Sequence, residues 1–245
     1  MTMLLASVKE ISEVKKILDT NFDIIDFKNP SDGILGAWNL EAIHRAIKLI
    51  SGKKITSATV GNVPMEAHKI YKTLETFSAT GVDYIKIGFM PSVNLENILK
   101  VLPDLKRLNA KVIAVFFADY GLNISLINDL FCSQFSGIML DTAKKDSGSL
   151  IDFLDIKTLK NFVRIAEKRG VLSGLAGSLK IENIPILLDL DPDVMGFRGV
   201  LCGNEGREGD ICEESLSGFH KIFHDLNKSK PKSTTAIADA QLATS

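Results

Sequence analysis

Short apolar segments with the length of β-strands alternate eight times with longer amphipathic segments along this chain of 245 residues. Strands that alternate with helical patterns predict a parallel sheet, because each helix returns the chain to the same edge. Eight such units match the number and size of a TIM barrel. We therefore predict an α/β fold, a single (β/α)8 TIM barrel over residues 1–225. Seven predicted strands span residues 3–8, 23–27, 54–60, 84–89, 111–118, 137–140 and 172–176, and the eighth lies within residues 193–201.

An open, doubly wound sheet is the alternative architecture for this alternation. That fold binds dinucleotides through a glycine-rich turn after the first strand, and residues 6–10 contain no glycine. Among the helices, the sequence predicts one from about residue 156 to residue 169, ending at Gly170. Residues 226–245 hold several Lys, Ser and Thr residues followed by small ones. Such a segment buries little apolar surface, so we predict a disordered C-terminal tail.

The composition is that of an average globular protein, with 45% hydrophobic residues, 24% charged residues and a net charge of −1. Nothing global attracts nucleic acid or an anionic membrane. The sequence has no apolar stretch of about 20 residues and no recognisable secretory signal. Three cysteines without framework spacing indicate a reduced, cytoplasmic protein, and four histidines without ligand pairing give no reason to expect a metal site.

Two lysines lie inside apolar runs where a solvated charge has no place. Lys28 follows the run Ile24–Phe27, and Lys86 lies between two isoleucines of the fourth strand. Lysine is almost never fully buried without a partner. An amine kept there indicates chemistry, because a desolvated lysine near other cations can act as a nucleophile or a base. A third lysine, Lys145, follows the sixth strand.

Aspartates accompany these lysines at the ends of strands, where TIM barrels carry their catalytic groups. Asp26 lies two residues before Lys28, so an extended backbone points both side chains to the same side. Asp141 ends the sixth strand, and Asp119 ends the fifth. Each residue also has a structural interpretation. Asp26 and Asp119 could shape turns, Lys28 could extend outward along its stem, and Asp141 could form a surface ion pair.

Glycine-rich loops follow the seventh and eighth strands, where TIM barrels often bind phosphate. In the seventh loop, Gly177 allows close approach of an anion to the backbone, and Ser178 begins the next helix. The eighth loop, residues 204–209, follows the segment 196–203 that contains Gly199, and either Arg198 or Arg207 could form a fork to phosphate oxygens. The same glycines could serve only tight turns. Together these features indicate a barrel enzyme that uses lysine and aspartate on a small phosphorylated carbonyl compound.

Six ordered motifs resemble the (5-formylfuran-3-yl)methyl phosphate synthase family, also called 4-(hydroxymethyl)-2-furancarboxaldehyde-phosphate synthase, of methanofuran biosynthesis. The resemblance extends from the second strand to the eighth. The motifs are Asp23-Ile-Ile-Asp-Phe-Lys-Asn-Pro30, Ser57-Ala-Thr-Val-Gly-Asn-Val-Pro64, Asp83-Tyr-Ile-Lys-Ile-Gly88, Met139-Leu-Asp-Thr-Ala-Lys-Lys-Asp146, Leu175-Ala-Gly-Ser178 and Gly196-Phe-Arg-Gly199.

The resemblance implies a TIM barrel that condenses two glyceraldehyde 3-phosphate molecules to a phosphorylated furan aldehyde without a cofactor. It implies that Lys28 forms the Schiff base, and that Lys86, Lys145, Asp26 and Asp141 are the other catalytic residues. Phe27 and Lys144 differ from the family pattern, and the spacing from the aspartate favours Lys145 over Lys144.

Two other functions stay open at this point. The first is a Schiff-base aldolase or a phosphosugar isomerase on the same fold, because fold alone does not choose the reaction. The second is a non-catalytic scaffold subunit of a one-carbon pathway. The sequence predicts a triose phosphate as the small-molecule partner, and it leaves open whether the chain forms a homo-oligomer.

Overall fold

A computed structural model of the protein describes residues 1–90, 95–129, 134–144 and 148–229. Eight strands form one closed barrel in chain order, in which β1 also pairs with β8 and every pairing is parallel. The predicted TIM barrel is therefore confirmed. The strands are β1 (Met3–Val8), β2 (Ile24–Phe27), β3 (Ile55–Thr59), β4 (Tyr84–Phe89), β5 (Lys111–Phe117), β6 (Gly137–Asp141), β7 (Leu172–Leu175) and β8 (Val194–Phe197).

Helices follow the strands and cover the outside of the barrel. They are α1 (Ile11–Leu18), α2 (Leu40–Ile50), α3 (Ala67–Ser78), α4 (Leu95–Val101), α5 (Ile124–Asp129), α6 (Leu150–Phe153), α7 (Ile156–Arg169), α8 (Ile184–Leu188) and α9 (Glu213–Ser229). Among the described residues, no helix combines the length and the apolar character needed to cross a lipid bilayer.

Local sequence sets the ends of α7 where they were predicted. The Asp155 side chain accepts a hydrogen bond from the Thr158 amide at 2.7 Å and caps the start of the helix. Gly170 ends the helix in the left-handed conformation, with φ of 67°. At the other end of the chain, α9 extends to Ser229, past the predicted barrel boundary at residue 225. Residues 230–245 of the predicted tail lie outside the described residues.

The interior of the barrel changes from apolar to polar along its axis. Successive side chains of a strand point to opposite faces, so each strand sends alternate residues inward. The inward set Leu5, Ile24 and Met139 belongs to a buried apolar cluster inside the barrel. Two residues further along the same three strands, the buried residues are Ser7, Asp26 and Asp141. The parallel strands therefore bring their polar residues together at one mouth of the barrel.

Candidate active site

The Lys28 amine is paired with a carboxylate across the barrel mouth. Its backbone amide donates to the Val8 carbonyl at 3.0 Å, which extends the β1–β2 ladder by one residue. Its Nζ lies 2.9 Å from Oδ2 of Asp141, and the two side chains are 14% and 12% exposed. This partly open pair leaves the amine accessible to a small molecule.

The environment of Asp141 favours its ionised form. Burial opposes ionisation, but the charge of Lys28, hydrogen bonds from Lys28 and the Thr142 amide, and the charge of Lys86 outweigh it. The pKa of Asp141 is therefore lowered from its ordinary value. The Thr142 amide donates to Oδ1 at 2.8 Å, which fixes the orientation of the carboxylate.

A second lysine–aspartate pair lies deeper in the barrel. Lys86 Nζ is 2.7 Å from Oδ2 of Asp26, and the side chains are 5% and 0% exposed. Ser7 faces Asp26 in the β1–β2 register, and its hydroxyl donates to the same carboxylate oxygen at 2.8 Å. Oδ1 of Asp26 is buried and has no hydrogen-bond partner in the described part of the chain. Ser7 could not be predicted from the sequence, because a serine near a strand end carries no signal until the strand register is known.

Both lysines line one cavity of about 530 Å³ at the barrel mouth. Asp141 and Ser7 line it as well. The loops after β2, β7 and β8 also line the cavity. Their lining residues include Pro30, Gly33, Ile34, Gly177, Ser178, Lys180, Gly199 and Arg207. This volume lies within the range of small-molecule sites, and charged amines with apolar walls suit a polar carbonyl compound.

The loop after β7 contacts the strand that carries Asp141. Gly177 has φ of +104°, and a Cβ at this position would lie 2.9 Å from both the backbone nitrogen and Cγ2 of Thr142. Only glycine fits there, because both the backbone conformation and the space exclude a side chain. The next residue, Ser178, also has a positive φ of 47° and is exposed at the cavity wall. The predicted anion loop therefore lies directly beside the Lys28–Asp141 pair.

The prediction that the Arg198 guanidinium binds phosphate is not supported by the contacts of this residue. Its N–H groups donate to the Glu13 carboxylate at 2.9 and 3.2 Å and to the carbonyls of Ser7, Arg207 and Gly209 at 2.9, 2.6 and 2.8 Å. These bonds use all five N–H donors of a guanidinium, so none is left to point at a ligand. The partner Glu13 is fully buried in α1, and sequence analysis missed it because it lies 185 residues away.

Asp119 holds the loop after β6 through hydrogen bonds to its backbone. Its carboxylate accepts hydrogen bonds from the amides of Ala143 and Lys144 at 2.9 and 2.6 Å. The Lys144 ammonium lies 5.6 Å from the centre of the Tyr120 ring. Lys145, the third predicted catalytic lysine, lies outside the described residues. In the described part of the chain, no three His, Cys, Asp or Glu residues form a group that could hold a metal ion.

Solved structures with a similar fold include several enzymes of phosphorylated sugars. A 3-hexulose-6-phosphate synthase superposes with a TM-score of 0.59 at 15% identity, covering 89% of this chain and 99% of its own. A phosphoribosyl anthranilate isomerase from Thermus thermophilus superposes with a TM-score of 0.60 at 12% identity, covering 92% of this chain and all of its own, 100%. At these identities the likeness establishes the barrel fold alone.

Sequence comparison is more specific. The family model described as 4-HFC-P synthase matches residues 4–220. A protein of Methanococcus aeolicus named (5-formylfuran-3-yl)methyl phosphate synthase is 36% identical over 235 residues, which cover 90% of this chain and 99% of the relative. A protein of the same name from Methanocaldococcus jannaschii is 34% identical with the same coverage of both chains. The chain belongs to the 4-HFC-P synthase family.

Proposed function

We propose that the protein condenses two molecules of glyceraldehyde 3-phosphate to (5-formylfuran-3-yl)methyl phosphate in methanofuran biosynthesis. Loss of one phosphate and two waters balances the atoms, because both substrates together differ from the product by that sum. The conversion is redox-neutral, so it needs no redox cofactor. The observation that carries the proposal is the pair of lysine–aspartate contacts, Lys28–Asp141 and Lys86–Asp26, at one cavity in a chain of this family.

Lys28 is the proposed nucleophile. Its amine attacks the aldehyde carbon of one triose, or of its ketone isomer, and loss of water gives an imine. Asp141, 2.9 Å away, is placed to take the proton from the attacking amine and to return it to the departing hydroxyl. Withdrawal of a proton from the next carbon gives an enamine, which forms the new carbon–carbon bond with the carbonyl of the second triose.

The later steps of the reaction eliminate phosphate and water. The buried Lys86–Asp26 pair suits the proton transfers that these eliminations need. An ammonium donates the proton that the leaving oxygen needs, and a carboxylate accepts the proton from carbon. Ser7 holds Asp26 in position, since it donates to the same oxygen as Lys86. Lys145 remains a proposed acid or base on the resemblance of its motif alone.

Backbone amides around Gly177, Ser178 and Gly199 are the proposed binding site of the phosphate that stays on the product. These residues line the same cavity as the lysines, and Gly177 and Ser178 both have positive φ values, which occur in anion-binding backbone turns. We also propose that the protein works in the cytoplasm on this small substrate.

Borohydride trapping tests the Schiff base directly. Reduction of the protein in the presence of glyceraldehyde 3-phosphate should attach a triose to Lys28, and peptide mapping locates the label. Lys28→Arg keeps the positive charge but forms no imine, so it should lose both label and turnover. A label on another lysine, with Lys28→Arg still active, would contradict the assignment of the nucleophile.

The product distinguishes the proposed reaction from its alternatives. Purified protein with glyceraldehyde 3-phosphate should generate the ultraviolet absorption of a furan aldehyde. Hexose bisphosphate as the product would indicate an aldolase, and dihydroxyacetone phosphate alone would indicate an isomerase. A scaffold protein would form no product, and its variant Lys28→Met would keep its cellular function.

A further inference from the structure

The loop after β8, residues 198–212, is tied to the first helix by a buried ion pair. Arg198 contacts both carboxylate oxygens of Glu13, and the side chains are 7% and 1% exposed. The same guanidinium holds two carbonyls of the loop, those of Arg207 and Gly209. The Glu13 carboxylate also accepts from the Ile211 amide at 3.0 Å. The loop therefore has one fixed path over the barrel mouth.

This path brings Arg207 to the wall of the cavity. Arg207 lines the cavity with Gly177 and Ser178 from the loop after β7. Its backbone nitrogen lies 3.9 Å from the position that a Cβ on Gly199 would take, so it borders the predicted phosphate loop. Arg207 is therefore held by its carbonyl at the wall of the cavity.

The guanidinium of Arg207 has one buried donor that is not satisfied within the described part of the chain. Its Nε is buried and has no hydrogen-bond partner within the described ranges. A buried donor without a partner costs free energy, and a charged donor costs more than a neutral one. An anion at this wall that accepts a hydrogen bond from Nε would remove that cost. A planar fork of N–H groups matches two oxygens of a phosphate monoester.

We propose that Arg207 is the side chain that recognises the substrate phosphate, and that Arg198 and Glu13 are positioning residues for it. This inference rests on the proposed function in one respect, namely that the ligand is a phosphorylated triose. Arg198 and Arg207 both line the cavity. Arg198 has every N–H donor bonded within the protein, whereas Nε of Arg207 has no partner in the described part of the chain. Lys180 lines the same cavity, but it is exposed, so solvent screens its charge.

Calorimetric binding of glycerol 3-phosphate tests Arg207 without any chemistry, since this probe has no carbonyl group. Arg207→Gln should weaken binding by about tenfold or more, and Arg207→Lys should lie between it and the unchanged protein. Arg45→Gln, an exposed arginine on α2, is the matched control and should change binding less than about twofold. Lys180→Gln should cost less than Arg207→Gln.

Two results would overturn the proposal. One is binding of glycerol 3-phosphate by Arg207→Gln within twofold of the unchanged protein. The other is no measurable binding by the unchanged protein. Failure of the proposed reaction looks different: the probe would bind and depend on Arg207, while glyceraldehyde 3-phosphate would give no furan.

A double-mutant cycle tests the positioning residues. Glu13→Gln should weaken binding of the probe, because the loop loses the charge that anchors Arg198. In the Arg207→Gln background the same change should add almost nothing, since the residue it positions is already gone. Thermal unfolding of each variant with and without the probe gives the folded fraction, so a fold defect is separated from a binding defect. Fully additive losses would show that Glu13 does not act through Arg207.

Discussion

Lys28 and Asp141 form an ion pair of 2.9 Å between β2 and β6, two strands on opposite sides of the eight-stranded barrel. The pair crosses the mouth of the cavity, so a substrate that reaches the amine must also meet the carboxylate. Asp141 is placed to hold the amine in one orientation and to exchange a proton with it.

Replacing Asp141 with Asn should lower turnover by about 10²- to 10⁴-fold, because general acid–base catalysis by one group is worth that much. The asparagine is isosteric but exchanges no proton at neutral pH. Single-turnover borohydride trapping should show a slower rise of the Lys28 label, while the final yield stays the same. Unchanged trapping kinetics would assign Asp141 a purely structural role.

The lowered pKa of Asp141 also predicts how stability depends on pH. A carboxyl whose pKa is lower in the folded state stabilises the protein above its unfolded pKa, and this contribution is lost as pH falls through the folded value. The difference in unfolding free energy between the unchanged protein and Asp141→Asn should therefore be the same at pH 7 and at about pH 5.5, and should shrink only in more acidic solution. Urea unfolding at several pH values measures it. A difference that vanishes by pH 5.5 would contradict the lowered pKa.

The buried pair of Lys86 and Asp26 should respond differently to single and double substitution. Lys86→Met leaves the fully buried Asp26 carboxylate without its counter-ion and should cost about 3–5 kcal/mol of stability. Lys86→Met with Asp26→Asn removes both charges and should recover most of that loss, while turnover stays abolished. Urea unfolding and furan formation give the two readouts. Turnover that recovers with stability would mean that the pair has no role in catalysis.

Gly177 should tolerate no side chain. Gly177→Ala meets the backbone of Thr142 at 2.9 Å and keeps a φ of +104°, so we expect a loss of about 1–3 kcal/mol and weaker binding of glycerol 3-phosphate. Gly170→Ala is the matched control, because Gly170 also has a positive φ but has open space where the Cβ would be. Thermal unfolding and calorimetry compare the two variants. An equal loss at both positions would attribute the effect to backbone conformation rather than to contact with β6.

Two cysteines in the loop after β8 should differ in reactivity. Burial raises the pKa of Cys202 to about 11, whereas a hydrogen bond with the Ser215 side chain lowers the pKa of Cys212. At pH 8 iodoacetamide should therefore label Cys212 first, because only the thiolate reacts. Trypsin cuts after Arg207 and places the two cysteines in separate peptides for mass spectrometry. Faster labelling of Cys202 would contradict these environments.

The barrel could be predicted because the apolar patterns that indicate its strands and helices are local in the sequence. Each strand and helix has its own apolar period, and α7 even begins and ends where Asp155 and Gly170 indicate. The closeness of Lys28, Lys86, Asp26 and Asp141 followed from topology, since parallel strands bring their ends to one mouth.

The loop after β8 could not be predicted in the same way. The partner of Arg198 is Glu13, at the opposite end of the chain, and a helical glutamate looks like any solvated charge until its burial is known. The eighth strand lies within residues 193–201 as predicted, but the local sequence does not indicate where in that range it ends. β8 ends at Phe197, and Arg198 leaves the extended conformation with φ of −144° and ψ of −63° to reach Glu13. The ion pair between Arg198 and the distant Glu13 therefore determines where β8 ends. It also leaves Arg207, rather than Arg198, as the arginine proposed to bind the ligand.

The ion pair between Glu13 and Arg198 also limits when the pocket can form during synthesis of the chain. The first helix leaves the ribosome early, but its buried carboxylate finds its counter-ion only after nearly all of the barrel has been synthesised, 185 residues later. The loop that carries Arg207 can take its place only then. A chain that ends before residue 198 therefore contains Lys28 but lacks the ion pair that holds this loop.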